Sequence, residues 1–230
     1  MHIGLIGASG NIGARIISEG LSRGHSFTAF SRNPTEADTD RVKWRKVDVL
    51  DVASLRAQLP GLDVLVNAFG PGSAARDAAD AAAQSIANPE LYIQVAKSLL
   101  TALESYPKLR VIVVGGAGSL EIAPGRQIVD EPGTPERLKA IGVPPDYINA
   151  VRGHRDAFYA YRLSNRLWTY FSPAMVIGPG ERTGRFRLGG DQVLVDAKGN
   201  SNISYEDYAV ALLDEIEMPR HVQRRFTIAY

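Results

Sequence analysis

The chain opens His2-Ile3-Gly4-Leu5-Ile6-Gly7-Ala8-Ser9-Gly10-Asn11-Ile12-Gly13-Ala14-Arg15-Ile16-Ile17. A short apolar strand runs into a glycine-rich turn, and the turn runs into a helix. Each glycine has its own physical use. Gly7 permits the tight turn, Gly10 lets the backbone approach a diphosphate, and Gly13 lets the helix pack closely on the strand. The first N–H groups of the helix and its positive dipole end would face the phosphates. The spacing is GxxGxxG rather than GxGxxG. The strand before the turn and the helix after it therefore carry the reading more than the pattern does.

The totals bound the rest. The chain has 230 residues, 45% of them hydrophobic and 22% charged, which are ordinary globular values and allow a sizeable core. A net charge of +1 argues against a broad nucleic-acid surface. With no cysteine, disulfides, thiolate catalysis and thiolate-held metal are excluded. No basic segment followed by an apolar stretch marks a signal peptide, and no run reaches the roughly 20 apolar residues of a membrane helix. The expectation is a soluble, cytoplasmic protein with no nucleic-acid or membrane partner.

Downstream of the turn, apolar spacing predicts a first helix over 11–23 and strands over 26–30, 42–47, 62–66, 110–114, 167–171 and 225–230. The second strand ends in Ser31-Arg32-Asn33-Pro34, with no acid. A carboxylate there would bind a ribose 2′-hydroxyl and repel a 2′-phosphate, whereas a guanidinium can grip one in a fork. This predicts NADP(H) over NAD(H), led by Arg32 with Ser31 or Asn33 assisting. After the third strand, Asp51 is the better helix cap. Asp48 stands either at the adenine edge or in a local turn bond. An alanine-rich stretch predicts a helix over 74–87, and Leu91, Val95, Leu99 and Leu103 mark another beyond Pro89.

From 120 to 145 periodicity fades and Pro and Gly accumulate, which reads as a substrate-covering loop; 175–202 is a second substrate-side stretch. Gly178-Pro179-Gly180-Glu181-Arg182-Thr183-Gly184 lacks the lysine of a P-loop, and Arg182 and Arg185 either meet an anionic substrate or are solvated. Ser204 caps a last helix, with Asp207 at its third position. The order predicts an α/β fold: a Rossmann-like doubly wound parallel sheet with helices on both faces and a small C-terminal substrate lobe, in a single domain over 1–230.

The glycine turn, Ser31-Arg32-Asn33-Pro34, Val114-Gly115-Gly116-Ala117-Gly118-Ser119-Leu120, Trp168-Thr169-Tyr170-Phe171-Ser172-Pro173 and Ile203-Ser204-Tyr205-Glu206-Asp207-Tyr208-Ala209 together carry a resemblance. The chain resembles the atypical short-chain dehydrogenase/reductases. Within them it is most similar to the NADH–flavin reductase group, which is related to flavin reductase/biliverdin-IXβ reductase and to the NmrA-like proteins. The resemblance implies Gly7, Ser9, Gly10, Asn11 and Ile12 at the diphosphate and Arg32 at the 2′-phosphate. It implies Asp48 and Val49 near adenine, and Asn67, Ala68 and Phe69 along the nicotinamide ribose. Gly115 and Gly116 are implied near the nicotinamide, with Ser172, Pro173 and Ala174.

One departure is informative. Typical members carry a YxxxK pair whose tyrosine supplies a proton. Here Tyr147 is followed four residues on by Val151, Tyr159 by Leu163 and Tyr161 by Asn165. A ketone needs protonation in step with hydride arrival, whereas a flavin or quinone can take its proton from water. The reading is therefore NADPH-dependent hydride transfer to a small flavin-like or quinone-like acceptor, by a monomer or homodimer. The alternative is a non-catalytic NADP(H)-sensing regulator of NmrA-like type; a sugar-nucleotide epimerase fits less well. Candidate catalytic residues are Ser119, as hydrogen-bond donor to the acceptor or as a turn cap, and Tyr147, as proton donor or as a packed side chain. His154 is either a relay or solvent-facing. No metal site is expected.

Overall fold

The computed structural model describes residues 1–34, 36–72 and 78–230. Its strands are β1 (His2–Ile6), β2 (Ser26–Ser31), β3 (Val42–Lys46), β4 (Val64–Asn67), β5 (Arg110–Val114), β6 (Glu121–Ala123), β7 (Arg126–Gln127), β8 (Trp168–Ser172), β9 (Val176–Gly178), β10 (Arg187–Gly189), β11 (Asn202–Ser204) and β12 (Arg224–Ala229). The helices are α1 (Asn11–Ser22), α2 (Val52–Arg56), α3 (Ala78–Ala87), α4 (Glu90–Ala102), α5 (Thr134–Ala140), α6 (Ile148–Arg162) and α7 (Tyr205–Glu217). The first four residues of the alanine-rich helix expected over 74–87 lie outside the described residues.

The main sheet has eight strands in the order β10-β12-β8-β5-β4-β1-β2-β3, all parallel except β10, which runs antiparallel to β12. This is a Rossmann-like α/β fold. The order reverses between β1 and β4, and a cleft forms at the carboxyl ends of strands where such a reversal occurs.

Side chains alternate across the sheet with the strand period of two. Ile3, Leu5, Val64, Val66, Ile112 and Phe171 point to one core, which also includes Ile16 of α1 and Leu212 of α7. Ile6, Leu65, Val111, Val113 and Tyr170 point to the other, with Leu55 of α2, Leu99 of α4 and Tyr161 of α6. Each such fully buried aliphatic or aromatic side chain contributes about 1.5–3 kcal/mol. Phe171 is stacked on Tyr208 and Phe226 at 4.1 and 4.0 Å between ring centroids, which ties α7 to the sheet.

Local chemistry sets the helix ends. Asp51 accepts from the N–H groups of Ala53 and Ser54 and so caps α2. Ser204 accepts from the N–H of Asp207 at 3.0 Å and caps α7. In the C-terminal part, β9 and β11 form a small parallel pair outside the main sheet.

Candidate cofactor and acceptor cleft

Gly7 turns the chain out of β1 in the left-handed region, at φ +77°. A Cβ there would stand 2.2 Å from the carbonyl oxygen of Ala68, so β1 and β4 meet through the missing side chain. A Cβ on Gly13 would stand 2.2 Å from the Gly7 carbonyl oxygen. A side chain at Gly7 would push the end of β4 away from β1, and one at Gly13 would push α1 off the turn. Gly10 is the N-cap of α1 and supplies no side-chain cap. The N–H groups of the first helical turn therefore face the cleft uncapped, at the positive end of the helix. A pocket of small residues with uncapped donors fits a dinucleotide diphosphate.

The cavity continues from this turn. It encloses about 600 Å³ and its wall is largely apolar. One side is Gly10, Asn11 and Ile12; the next is Ala68, Phe69 and Gly70 after β4; then come Gly115 and Gly116 after β5 and Pro173 and Ala174 after β8. Four strand ends thus converge on one space. The 120–145 stretch covers it through Ile128, Thr134, Leu138, Ile141 and Val143, and the 175–202 stretch contributes Met175, Val176 and Ile177. A larger groove of about 1010 Å³ lies where β8 and β12 begin, among Trp168, Arg220 and Arg224. It stands apart from the glycine turn and at the wrong ends of the strands for a doubly wound fold.

The cover is anchored rather than loose. The N–H of Val129 donates to the Gly118 carbonyl and that of Ile128 to the Leu120 carbonyl, both at 2.9 Å. The hydroxyl of Thr134, at the start of α5, donates to the Ile128 carbonyl. A Cβ on Gly118 would lie 1.9 Å from Val151, so this glycine lets α6 close on the turn after β5.

The predicted polar residues part company here. Tyr147 lines the cavity, and burial raises the pKa of its hydroxyl. His154 also lines it, two turns further along α6, and does not face solvent. Its ring packs against Tyr92 at 3.9 Å between centroids, tilted by 36°, and desolvation pushes its pKa down to about 4. Ser119 does not reach the cavity. It is 2% exposed, and its carbonyl and hydroxyl oxygens both accept from the buried guanidinium of Arg225.

Asn67 is also turned inward. Its amide donates to the Tyr161 hydroxyl at 3.2 Å and its oxygen accepts from the Phe69 N–H, so it shapes the turn whose backbone lines the cleft. Arg182 grips Glu19 of α1 through two bonds of 2.7 Å and is not among the residues that line the cavity. Arg185 is exposed and outside this cavity.

Arg32, past β2, is not among the residues that line this cavity; it is exposed and makes no hydrogen bond or ion pair among the described residues. One oxygen of Asp48 accepts from the Leu50 N–H at 3.0 Å, the local turn bond. Val49 is buried beside it, and Ser9 is exposed on the glycine turn. The Ser172 hydroxyl, at the end of β8, is buried with no hydrogen-bond partner among the described residues.

Sequence reasoning passed over Arg137, Val151 and Tyr205, which also line the cavity. Tyr147, Val151 and His154 stand at i, i+4 and i+7, and that spacing on a helix was the available signal. Thr134-Pro135-Glu136 has proline in the first turn, the ordinary mark of a helix start, and so could have revealed α5.

A family model described as NAD(P)H-binding matches residues 7–219. The chain belongs to the NAD(P)H-binding family. It is 35% identical to the uncharacterized protein YwnB of Bacillus subtilis (strain 168), over 99% of this chain and 98% of that protein. A Burkholderia pseudomallei structure named "putative exported protein" is 42% identical and superposes with a TM-score of 0.80, with both chains covered in full. A "putative NADH-flavin reductase" from Streptococcus pneumoniae TIGR4 is 30% identical with a TM-score of 0.81, covering 100% of this chain and 99% of that one. The family match and the Streptococcus pneumoniae likeness agree with the resemblance to the NADH–flavin reductase group. Among the described residues no helix is long and apolar enough to cross a membrane.

Proposed function

We propose that this chain is a cytoplasmic, NADPH-preferring reductase that passes hydride to a flavin, quinone or similar planar acceptor without a Tyr–Lys pair. The observation that carries the proposal is the single cavity joining the glycine turn to an apolar chamber under α5. The cofactor supplies the hydride when bound. The protein's task is then to hold donor and acceptor in contact and keep water away, and orientation of that kind accounts for much of such a rate.

On this reading Gly7, Ser9, Gly10, Asn11 and Ile12 hold the diphosphate. The exposed Arg32 grips the 2′-phosphate. Asp48 keeps one carboxylate oxygen for the adenine amine, above Val49. Ala68 and Phe69 flank the nicotinamide ribose, on a turn shaped by Asn67. Gly115, Gly116 and Pro173 leave room for the nicotinamide ring. Tyr147 lines the cavity with its hydroxyl protonated, since burial raises its pKa, and its part on this reading is to donate a hydrogen bond to the acceptor. His154 is neutral there and acts as a flat, uncharged wall.

The test is oxidation of NADPH and NADH with a flavin, a quinone and a simple ketone offered in turn. The reading expects turnover on the first two, with NADPH favoured. Tight NADP(H) binding with no turnover on any of them overturns it in favour of an NmrA-like sensor.

A further inference from the structure

We infer that Arg137 selects, among planar acceptors, those that carry an anionic group. The inference rests on the reductase reading and names its substrate class. Arg137 projects from α5 into the cavity wall, and it is the one Arg, Lys, Asp or Glu among the described residues that line it. Its guanidinium is exposed and makes no hydrogen bond or ion pair among the described residues. No ion pair of the fold accounts for it, unlike Arg23, Arg182 and Arg225.

The surroundings give the lone cation a direction. Leu138, Ile141, Met175 and Val176 form an apolar wall suited to a flat ring system. A planar ring against that wall shares the cavity with Arg137, within reach of an anionic substituent. A guanidinium fork matches a phosphate, sulfonate or carboxylate through two parallel N–H···O bonds. α5 is held to the turn after β5 through Thr134 and the 128–129 backbone, so the helix that carries Arg137 is fixed beside the cavity. The anion could belong to the acceptor or to the cofactor's diphosphate. The diphosphate already has the uncapped N–H groups of α1, which favours the acceptor.

The experiment reads binding rather than turnover. NADP⁺-saturated protein is titrated with flavin mononucleotide and with riboflavin, followed by flavin fluorescence anisotropy. The same comparison is made with 1,2-naphthoquinone-4-sulfonate and 1,2-naphthoquinone by competition. Wild type is expected to prefer the anionic member of each pair by about tenfold, the effect of one partly exposed charge-assisted contact. Arg137→Gln should abolish the preference, Arg137→Lys should keep part of it, and NADPH affinity should stay unchanged in both. Equal affinities in wild type, a preference that survives Arg137→Gln, or binding of neither pair overturns the inference. So does a loss of NADPH affinity in Arg137→Gln with the ratio intact, which assigns the residue to the cofactor. A preference without NADPH oxidation keeps the inference and sinks the reductase reading; oxidation without a preference does the reverse.

Discussion

The guanidinium of Arg225 donates to the carbonyl oxygen of Ser119 at 2.6 Å and to its hydroxyl at 3.1 Å, across 106 residues of sequence. It also pairs with Asp191 at 2.7 Å and lies 4.6 Å from the centre of the Phe158 ring. One buried cation thereby fixes the far end of the turn that floors the cleft.

Ser119 and Arg225 should consequently behave as structural residues. Arg225→Leu leaves the Ser119 carbonyl without its donor, but Asp191 is 64% exposed and can return to water. The expected loss is about 2–3 kcal/mol, below the usual cost of breaking a fully buried pair. Ser119→Ala removes a single neutral acceptor and should cost about 1 kcal/mol or less. Urea unfolding measures both. NADPH oxidation by Ser119→Ala should stay within twofold of wild type, and a hundredfold fall would restore Ser119 to the chemistry.

His154 makes stability depend on pH in a defined direction. The folded state keeps the imidazole unprotonated down to about 4, whereas the unfolded chain takes up the proton near the ordinary value of 6.5. Between these values the unfolded state binds more protons, so stability falls as pH drops through 6.5 and levels off below about 4. Between about pH 7.5 and about pH 5 the contribution lost is about 2 kcal/mol. His154→Phe keeps a ring against Tyr92 and should remove most of that difference from paired urea titrations. An unchanged difference would contradict the placement of His154 in a desolvated wall.

Arg32 should govern the choice of cofactor. Arg32→Ala is expected to raise the KM for NADPH by about tenfold to a hundredfold, the range for losing a charge-assisted phosphate contact, and to leave that for NADH nearly unchanged. Equal KM values for the two cofactors in wild type, unaltered in the variant, would remove Arg32 from the site.

Much of the frame was legible because it depends on near neighbours. The β1–α1 turn follows from three glycines within seven residues, and the caps at Asp51 and Ser204 follow from side chains that reach only two or three residues along. The sheet faces follow from strict alternation, as in Ile3, Leu5 and Ile6.

What escaped depends on distant partners. Nothing near Ser119 announces Arg225, and nothing near Arg182 announces Glu19. Asn67 reads as a cleft residue until Tyr161, 94 residues on, claims its amide. The edge strand β10 has three residues, too few to show a period, and exists because β12 leaves an edge to pair with. The split of the site follows the same line: backbone-lined parts were readable, and side-chain assignments required the fold.

On the proposed function, NADPH passes its hydride directly to an acceptor held in the cavity under α5. The most direct test is oxidation of NADPH deuterated separately at each of the two C4 positions, with a saturating quinone and with flavin mononucleotide. Enzyme-dependent turnover should slow with deuterium on one face only, as expected where a cleft leaves a single face of the nicotinamide open to the acceptor. Cofactor bound without oxidation, or deuterium lost from both faces alike, would contradict direct transfer.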